Sequence, residues 1–318
     1  MTSKIAPACL AALLLAAGAL AGDKPSPQEL LDGAHKAADL SALGPYVLTG
    51  TLVVNPGTKK ELTGSLAVYR DRDRARVDVV VANRSETRIT VGNKDYVDPE
   101  RILFGGSWLE EFDLIWDPER PRVGESGSKK WANIRKQKIG GVDAWCMEKT
   151  SELPKDVLCF DAERHIELKS TIAEFSNHTA VGAALIPQTI KVSDGYSAPV
   201  EVRNIKVASY PAEPALFEVS PQAMELEHCP DGEQLKLLNA PMPVRSNLSQ
   251  RATNGQVALF VFVDKEGKVA TVKLLTLVQA DYNARILDTI KKWTFKPATC
   301  GGRPINCSST LTANGAMF

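Results

Sequence analysis

The four histidines of this chain, His35, His165, His178 and His228, are its best candidates for acid–base or metal chemistry. No two stand three or four residues apart, the spacing that sets a metal pair on one helix face. His228 adjoins Cys229, but sequence neighbours rarely face each other as a nucleophile and its base must. No Gly-x-Ser-x-Gly elbow and no phosphate-cradling glycine loop occurs. Glu110 and Glu111 pair two carboxylates, yet they lie on a helix-like stretch beside aromatics, where solvent exposure is expected. No constellation for turnover is present, so a binding protein is expected rather than an enzyme, with no cofactor and no metal.

What remains is thiol chemistry. Six cysteines occur, and Cys9 lies within an apolar N-terminal run. Cys146 and Cys159 flank a polar turn at 151–156, between two strand-like runs. Cys300 and Cys307 flank Gly301-Gly302-Arg303-Pro304. Each pair is expected to close a hairpin wherever register brings the Cβ atoms together. Cys229 then stays free or competes for Cys300 or Cys307. There is no Cys-x-x-Cys metal spacing. Asn83, Asn177, Asn247 and Asn306 begin Asn-x-Ser/Thr triplets, a motif short enough to arise by chance.

The cysteine pattern fits an oxidising compartment, and so does the start of the chain. Lys4 precedes an apolar or small-residue run at 5–21, and Ala19-Leu20-Ala21 before Gly22 fits a small-x-small cleavage site. The run falls short of the ~20 residues a membrane span prefers. A cleaved signal over 1–21 and a periplasmic protein are therefore expected; the alternative is an uncleaved inner-membrane anchor. Lys+Arg and Asp+Glu both number 38 in 318 residues. That balance argues against broad capture of nucleic acid. One local basic cluster, Lys129-Lys130 through Arg135-Lys136 and Lys138, reads as a solvated face or as a headgroup or partner patch.

The elements that must position any site follow from periodicity. Ser26-Pro27-Gln28-Glu29 is a capping box, and Leu30, Leu31, Ala34, Ala37 and Ala38 recur at helical spacing up to Gly44-Pro45. The period then becomes two. At 74–81, Ala75, Val77, Val79 and Val81 point one way, and Arg74, Arg76 and Asp78 the other. Similar runs at 46–54, 61–70, 87–91, 142–149, 157–160, 166–175, 186–193 and 200–208 make a long antiparallel meander with one covered face. Trp108, Phe112, Ile115 and Trp116 share one helical face at 108–116; they line a hydrophobic cavity or pack as ordinary core. Prolines from 211 to 243 mark residues 222–244 as a linker between a domain at 22–221 and another at 245–318. The fold class expected is α+β: a curved antiparallel sheet covered by helices, then a small sheet with one packed helix.

Two resemblances sharpen this. Residues 255–269, Leu287-Asp288 and Trp293-Thr294-Phe295-Lys296-Pro297-Ala298 together resemble the C-terminal domain of the TonB energy-transducer family. The resemblance implies a periplasmic interaction module whose sheet edge accepts an extended segment of a membrane or envelope protein. The edge expected is Ser308, Ser309, Thr310, Leu311 and Thr312, and an open edge also allows a homodimer. Leu277-Val278-Gln279-Ala280 departs from the family's Ser-Gly turn, and its Tyr-Pro motif is only echoed by Pro241-Met242-Pro243. The earlier part, from Pro25 to Pro221, resembles LolA and LppX-type lipoprotein carriers in element order and at Cys159-Phe160-Asp161, Ile186-Pro187-Gln188-Thr189-Ile190 and Phe217-Glu218-Val219. That resemblance implies a half-barrel holding a lipid or lipoprotein acyl chain. The expected function is therefore envelope transport by an exported carrier with an interaction module; the alternative is a membrane-anchored transducer or scaffold with no ligand.

Overall fold

A computed structural model of the protein describes residues 24–314, apart from 83, 93, 99–100, 103–130, 150–155, 194–197, 212, 228, 230–231, 242–255 and 275–279. Helix α1 (Pro27–Ala38) starts on the expected box. Ser26 Oγ accepts from the Glu29 N–H, and the Glu29 carboxylate accepts from the Ser26 N–H. Pro27 sits where a helix needs no amide hydrogen. The helix stops at Ala38, earlier than Gly44-Pro45, and a single 3-10 turn at Ser41–Leu43 fills the interval.

The chain then runs through β1 (Tyr46–Val54), β2 (Leu62–Asp71), β3 (Arg74–Val81), β4 (Arg84–Val91) and β5 (Lys94–Val97). It resumes with β6 (Trp131–Ile139), β7 (Val142–Lys149), β8 (Val157–Asp161), β9 (Glu167–Lys169) and β10 (Ala173–Ser176). A hairpin of β11 (Thr179–Val181) and β12 (Ala184–Ile186) follows, then β13 (Thr189–Val192), β14 (Val200–Ser209) and β15 (Met224–Glu227). All but the β11–β12 hairpin join one 13-stranded sheet, ordered β15-β5-β4-β3-β2-β1-β14-β13-β10-β9-β8-β7-β6. Every pairing in it is antiparallel, and its end strands β15 and β6 do not meet, so the sheet is open.

Alternation decides which face is covered. Leu66 and Val68 of β2, Val77 and Val79 of β3, and Val202 of β14 all turn into one buried cluster. Ile190 and Val192 of β13 join them, and the β11–β12 hairpin adds Ala184 and Ile186. On the opposite face the chain leaving β14 crosses back to the far edge as a strap whose described residues are 210–211 and 213–223. Tyr210 stacks edge-on against Tyr69 at 5.8 Å, the Arg76 guanidinium donates to Leu216 O at 3.0 Å, and the Arg74 guanidinium lies 4.8 Å from the centre of the Phe217 ring.

The C-terminal part holds β16 (Lys236–Asn239), β17 (Gln256–Val263), β18 (Val269–Leu274), helix α2 (Ala280–Ile290), β19 (Thr294–Lys296), β20 (Thr299–Cys300), β21 (Arg303–Pro304) and β22 (Cys307–Asn314). A three-stranded sheet, β18-β17-β22, is its centre. Leu259, Val261 and Val263 pack on Ile286, Ile290 and Trp293, so the expected small sheet with one packed helix is present. Gly267 turns β17 into β18 with φ +80, and a Cβ there would sit 2.0 Å from Phe295 O. Only glycine fits both conditions.

The fold-class expectation is met in part. The described residues are mostly strand, and among them one α-helix packs on the large sheet; a hairpin supplies the rest of the visible cover, so α+β overstates the helix. Residues 222–244 also carry structure. Within them, β15 pairs with β5, and β16 pairs with β19. Four-residue strands bounded by prolines are too short for a periodicity signal.

Candidate functional site

Helix α1 closes one end of the apolar face. Leu30, Leu31 and Ala34 bury against Met147 of β7 and Leu158 and Phe160 of β8. The next row of the helix is made of small residues. Ala34, Ala37 and Ala38 face Phe175, Leu185, Ile186 and Pro187 across a cavity of about 40 Å³. Burial stabilises by roughly 0.8 kcal/mol per CH₂, so an alanine row holds the helix to the β12 side far less firmly than leucines would.

Two histidines line that seam, His35 and His178. His178 is held in its neutral form, with its pKa lowered to about 4. Burial is the main cause, and the Arg164 cation adds repulsion; the Glu167 backbone and the Asp161 carboxylate oppose both. Asp161 is itself well tied: it accepts from the Glu163 and Arg164 N–H groups and from the Arg164 guanidinium. Among the described residues no group of three or more His, Cys, Asp or Glu side chains could hold a metal ion.

Outside the seam, α1 and the β6–β7 hairpin border an open groove of about 1130 Å³. Its walls are mixed, with charged side chains beside Pro25, Val142 and Trp145. The basic cluster read from sequence supplies Lys136 and Lys138 to this groove.

The small sheet has a second covered face. Phe260 and Phe262, edge-to-face at 5.5 Å, pack with Val97 and Ile102 and against Met224 and Leu226. Polar ties surround this contact. Arg303 pairs with Glu227, and Lys94 pairs with Glu225. Asn306 receives the Lys265 N–H at 3.0 Å and donates its amide to Glu225 O at 3.2 Å.

The expected site residues fall as follows. Trp108, Phe112, Ile115 and Trp116 lie outside the described residues. Ser308, Ser309, Thr310, Leu311 and Thr312 lie on β22 opposite Phe262, Val261, Phe260, Leu259 and Ala258, and β22 is the terminal strand of its sheet. Cys146 and Cys159 are cross-strand partners and form a disulfide with Cα atoms 4.0 Å apart. The pairing of Cys300 with Cys307 is corrected: Cys300 bonds Cys229, and Cys307 is free. Register explains it. Cys300 faces Arg303, and Ile305 N–H donates to Ala298 O, which carries Cys307 past Cys300 along the ladder. Burial then pushes the Cys307 thiol up, only partly offset by the nearby Ala298 backbone. The alanine seam gave no signal beyond helical spacing, because small residues mark a close approach only when the facing surface is known.

No family model matches the chain, and no curated protein matches it either. The TonB expectation therefore gains no support beyond the residues that prompted it. Several solved structures are similar in shape. A LolA superfamily protein from Nitrosomonas europaea is 13% identical, with a TM-score of 0.43, over 61% of this chain and 98% of that one. A putative outer membrane lipoprotein-sorting protein domain from Vibrio parahaemolyticus is 11% identical, with a TM-score of 0.38, over 59% and 96%. A DUF1329 family protein from Desulfovibrio piger is 15% identical, with a TM-score of 0.40, over 60% and 96%. Likenesses this distant assign neither family nor function to the chain.

Proposed function

We propose that this protein is an exported carrier that binds a lipid or lipoprotein acyl chain against the apolar face of its open sheet. One observation carries the reading: among the described residues, the one helix on that face meets the β12 side through alanines, with a small cavity between them. An acyl chain needs only apolar area, at roughly 25 cal/mol per Å² removed from water. Small side chains at the seam let the cover part at low cost. The periplasm suits two disulfides and the signal-like start. No described helix is long and apolar enough to cross a membrane.

The C-terminal module would serve a partner. β22 ends its sheet, so an extended segment of an envelope protein can add there through main-chain hydrogen bonds. A second reading, a scaffold with no ligand, is favoured by the packing of Phe260 and Phe262 against the large sheet, which fixes where β22 points. No substrate turnover is expected under either reading.

Native mass spectrometry of the protein from an oxidising compartment, before and after solvent extraction, separates them. A bound species of lipid mass, lost on extraction and regained on incubation with phospholipid, is expected of a carrier. A bare chain that takes up no lipid would overturn that reading and leave the scaffold.

A further inference from the structure

Strand β4 turns its polar side chains to the covered face of the large sheet. Glu86 stands opposite Val79, Arg88 opposite Val77 and Val97, and Thr90 opposite Ala75 and Asp95. Opposite residues of paired strands share a face, and Val77 and Val79 belong to the main apolar cluster. Ile89 goes the other way, opposite Arg76 on the strap side. A slip of one residue would put Ile89 inside instead, yet the register keeps the polar set there.

These polar groups are shut away from water. Glu86 and Asp95 are buried, and the Arg88 side chain is 16% exposed. The Thr90 hydroxyl donates to Asp95 at 2.7 Å. Arg88 is less well served. Its guanidinium stands 3.7 Å from the Glu86 carboxylate, near enough to balance its charge but beyond hydrogen-bond distance. Its Nε is buried and meets no hydrogen-bond acceptor among the described residues. A guanidinium carries five N–H donors, and a buried donor without an acceptor is costly. What Arg88 lacks is an oxygen acceptor rather than a second anion.

Arg88 also heads an apolar row. Val77, Val68 and Leu48 follow it on β3, β2 and β1, each opposite the next and all buried. From β4 to β1 is three strand spacings, about 14 Å. One lipid chain spans half of a hydrocarbon core, about 15 Å. A chain laid along this row starts at a hydrogen-bond donor and ends among apolar side chains.

We infer that Arg88 receives the ester carbonyl of an acyl lipid whose chain runs over Val77, Val68 and Leu48. The inference rests on the carrier reading and narrows it, from any apolar ligand to chains joined through a carbonyl. Glu86 already balances the charge of Arg88, so a neutral oxygen is accepted where a further carboxylate would be repelled.

Titration calorimetry of the full chain, stripped of lipid, tests it. The probes are lysophosphatidylcholine and its ether analogue, with the same head group and chain length, below their micelle concentrations. The ether lacks the carbonyl oxygen. The ester is expected to bind roughly tenfold more tightly, the worth of one hydrogen bond to a charged group. Arg88→Met should bring the two affinities together. That change takes the counter-charge from Glu86, so a second variant combines it with Glu86→Gln. The ester-to-ether ratio is read within each variant, and a smaller folded fraction leaves it unchanged. Equal binding of both lipids by the unaltered protein overturns this inference and leaves the carrier standing. A tenfold preference that survives in both variants places the carbonyl elsewhere and overturns it as well. Binding of neither lipid overturns the carrier reading and this inference with it.

Discussion

One histidine adds an acid-sensitive step to the stability of the fold. Unfolded, His178 takes up a proton near pH 6.5; folded, it does so only at about 4. Between those values the unfolded chain holds the extra proton, so stability is complete above 6.5 and falls as pH drops towards 4. The expected loss is on the order of 2 kcal/mol, allowing for partial exposure. His178→Gln should flatten that slope in urea unfolding measured at pH 7 and pH 4.5. The disulfides differ by what they constrain. Cys229–Cys300 spans 71 residues and Cys146–Cys159 spans 13. Loss of the first should cost about 4 kcal/mol and of the second about 3. Cys300→Ser and Cys159→Ser, compared by denaturant midpoint, check the order. Sequence located the second bridge because its two strands run together across one turn. It misassigned the first because Cys229 and Cys300 meet only through tertiary packing.

Among the elements, α1 is held by its leucines rather than its cap. Leu30 is fully buried on Met147 and Phe160, so Leu30→Ala should cost about 2–5 kcal/mol. Ser26→Ala should cost about 1 kcal/mol. Urea midpoints of the two variants measure the difference. The strands were largely legible. The runs at 46–54, 74–81 and 142–149 coincide with β1, β3 and β7, and the period is plainest in β3, where Ala75, Val77, Val79 and Val81 are the buried residues. β6 was not, because Arg135, Lys136 and Lys138 dominate it and an edge strand needs little apolar alternation. The stretch at 166–175 divides into β9 and β10 at Ser170, whose hydroxyl accepts the Ile172 and Ala173 N–H groups and turns the chain. The candidate site was least legible of all. Alanines that loosen a helix and alanines that merely fill one look the same along the chain.

At the scale of the whole molecule, the two sheets share side chains. Phe262 is fully buried between the small sheet and the strands β5 and β15. Phe262→Ala should cost about 3–5 kcal/mol. Calorimetry should show one transition for both parts, moved down as one, because each would bare its side of the Phe260–Phe262 contact without the other. The strap and β15 carry a further consequence, one of timing. Tyr96 of β5 meets Glu225 of β15 across 129 positions of sequence. A chain emerges N-terminus first, so β5 waits with a bare row of amides and carbonyls while everything up to residue 227 is still to come. The nascent protein therefore passes through a long interval as a sticky, half-finished ribbon. Its speed of emergence, and whatever shields that ribbon meanwhile, will govern how much of it escapes aggregation.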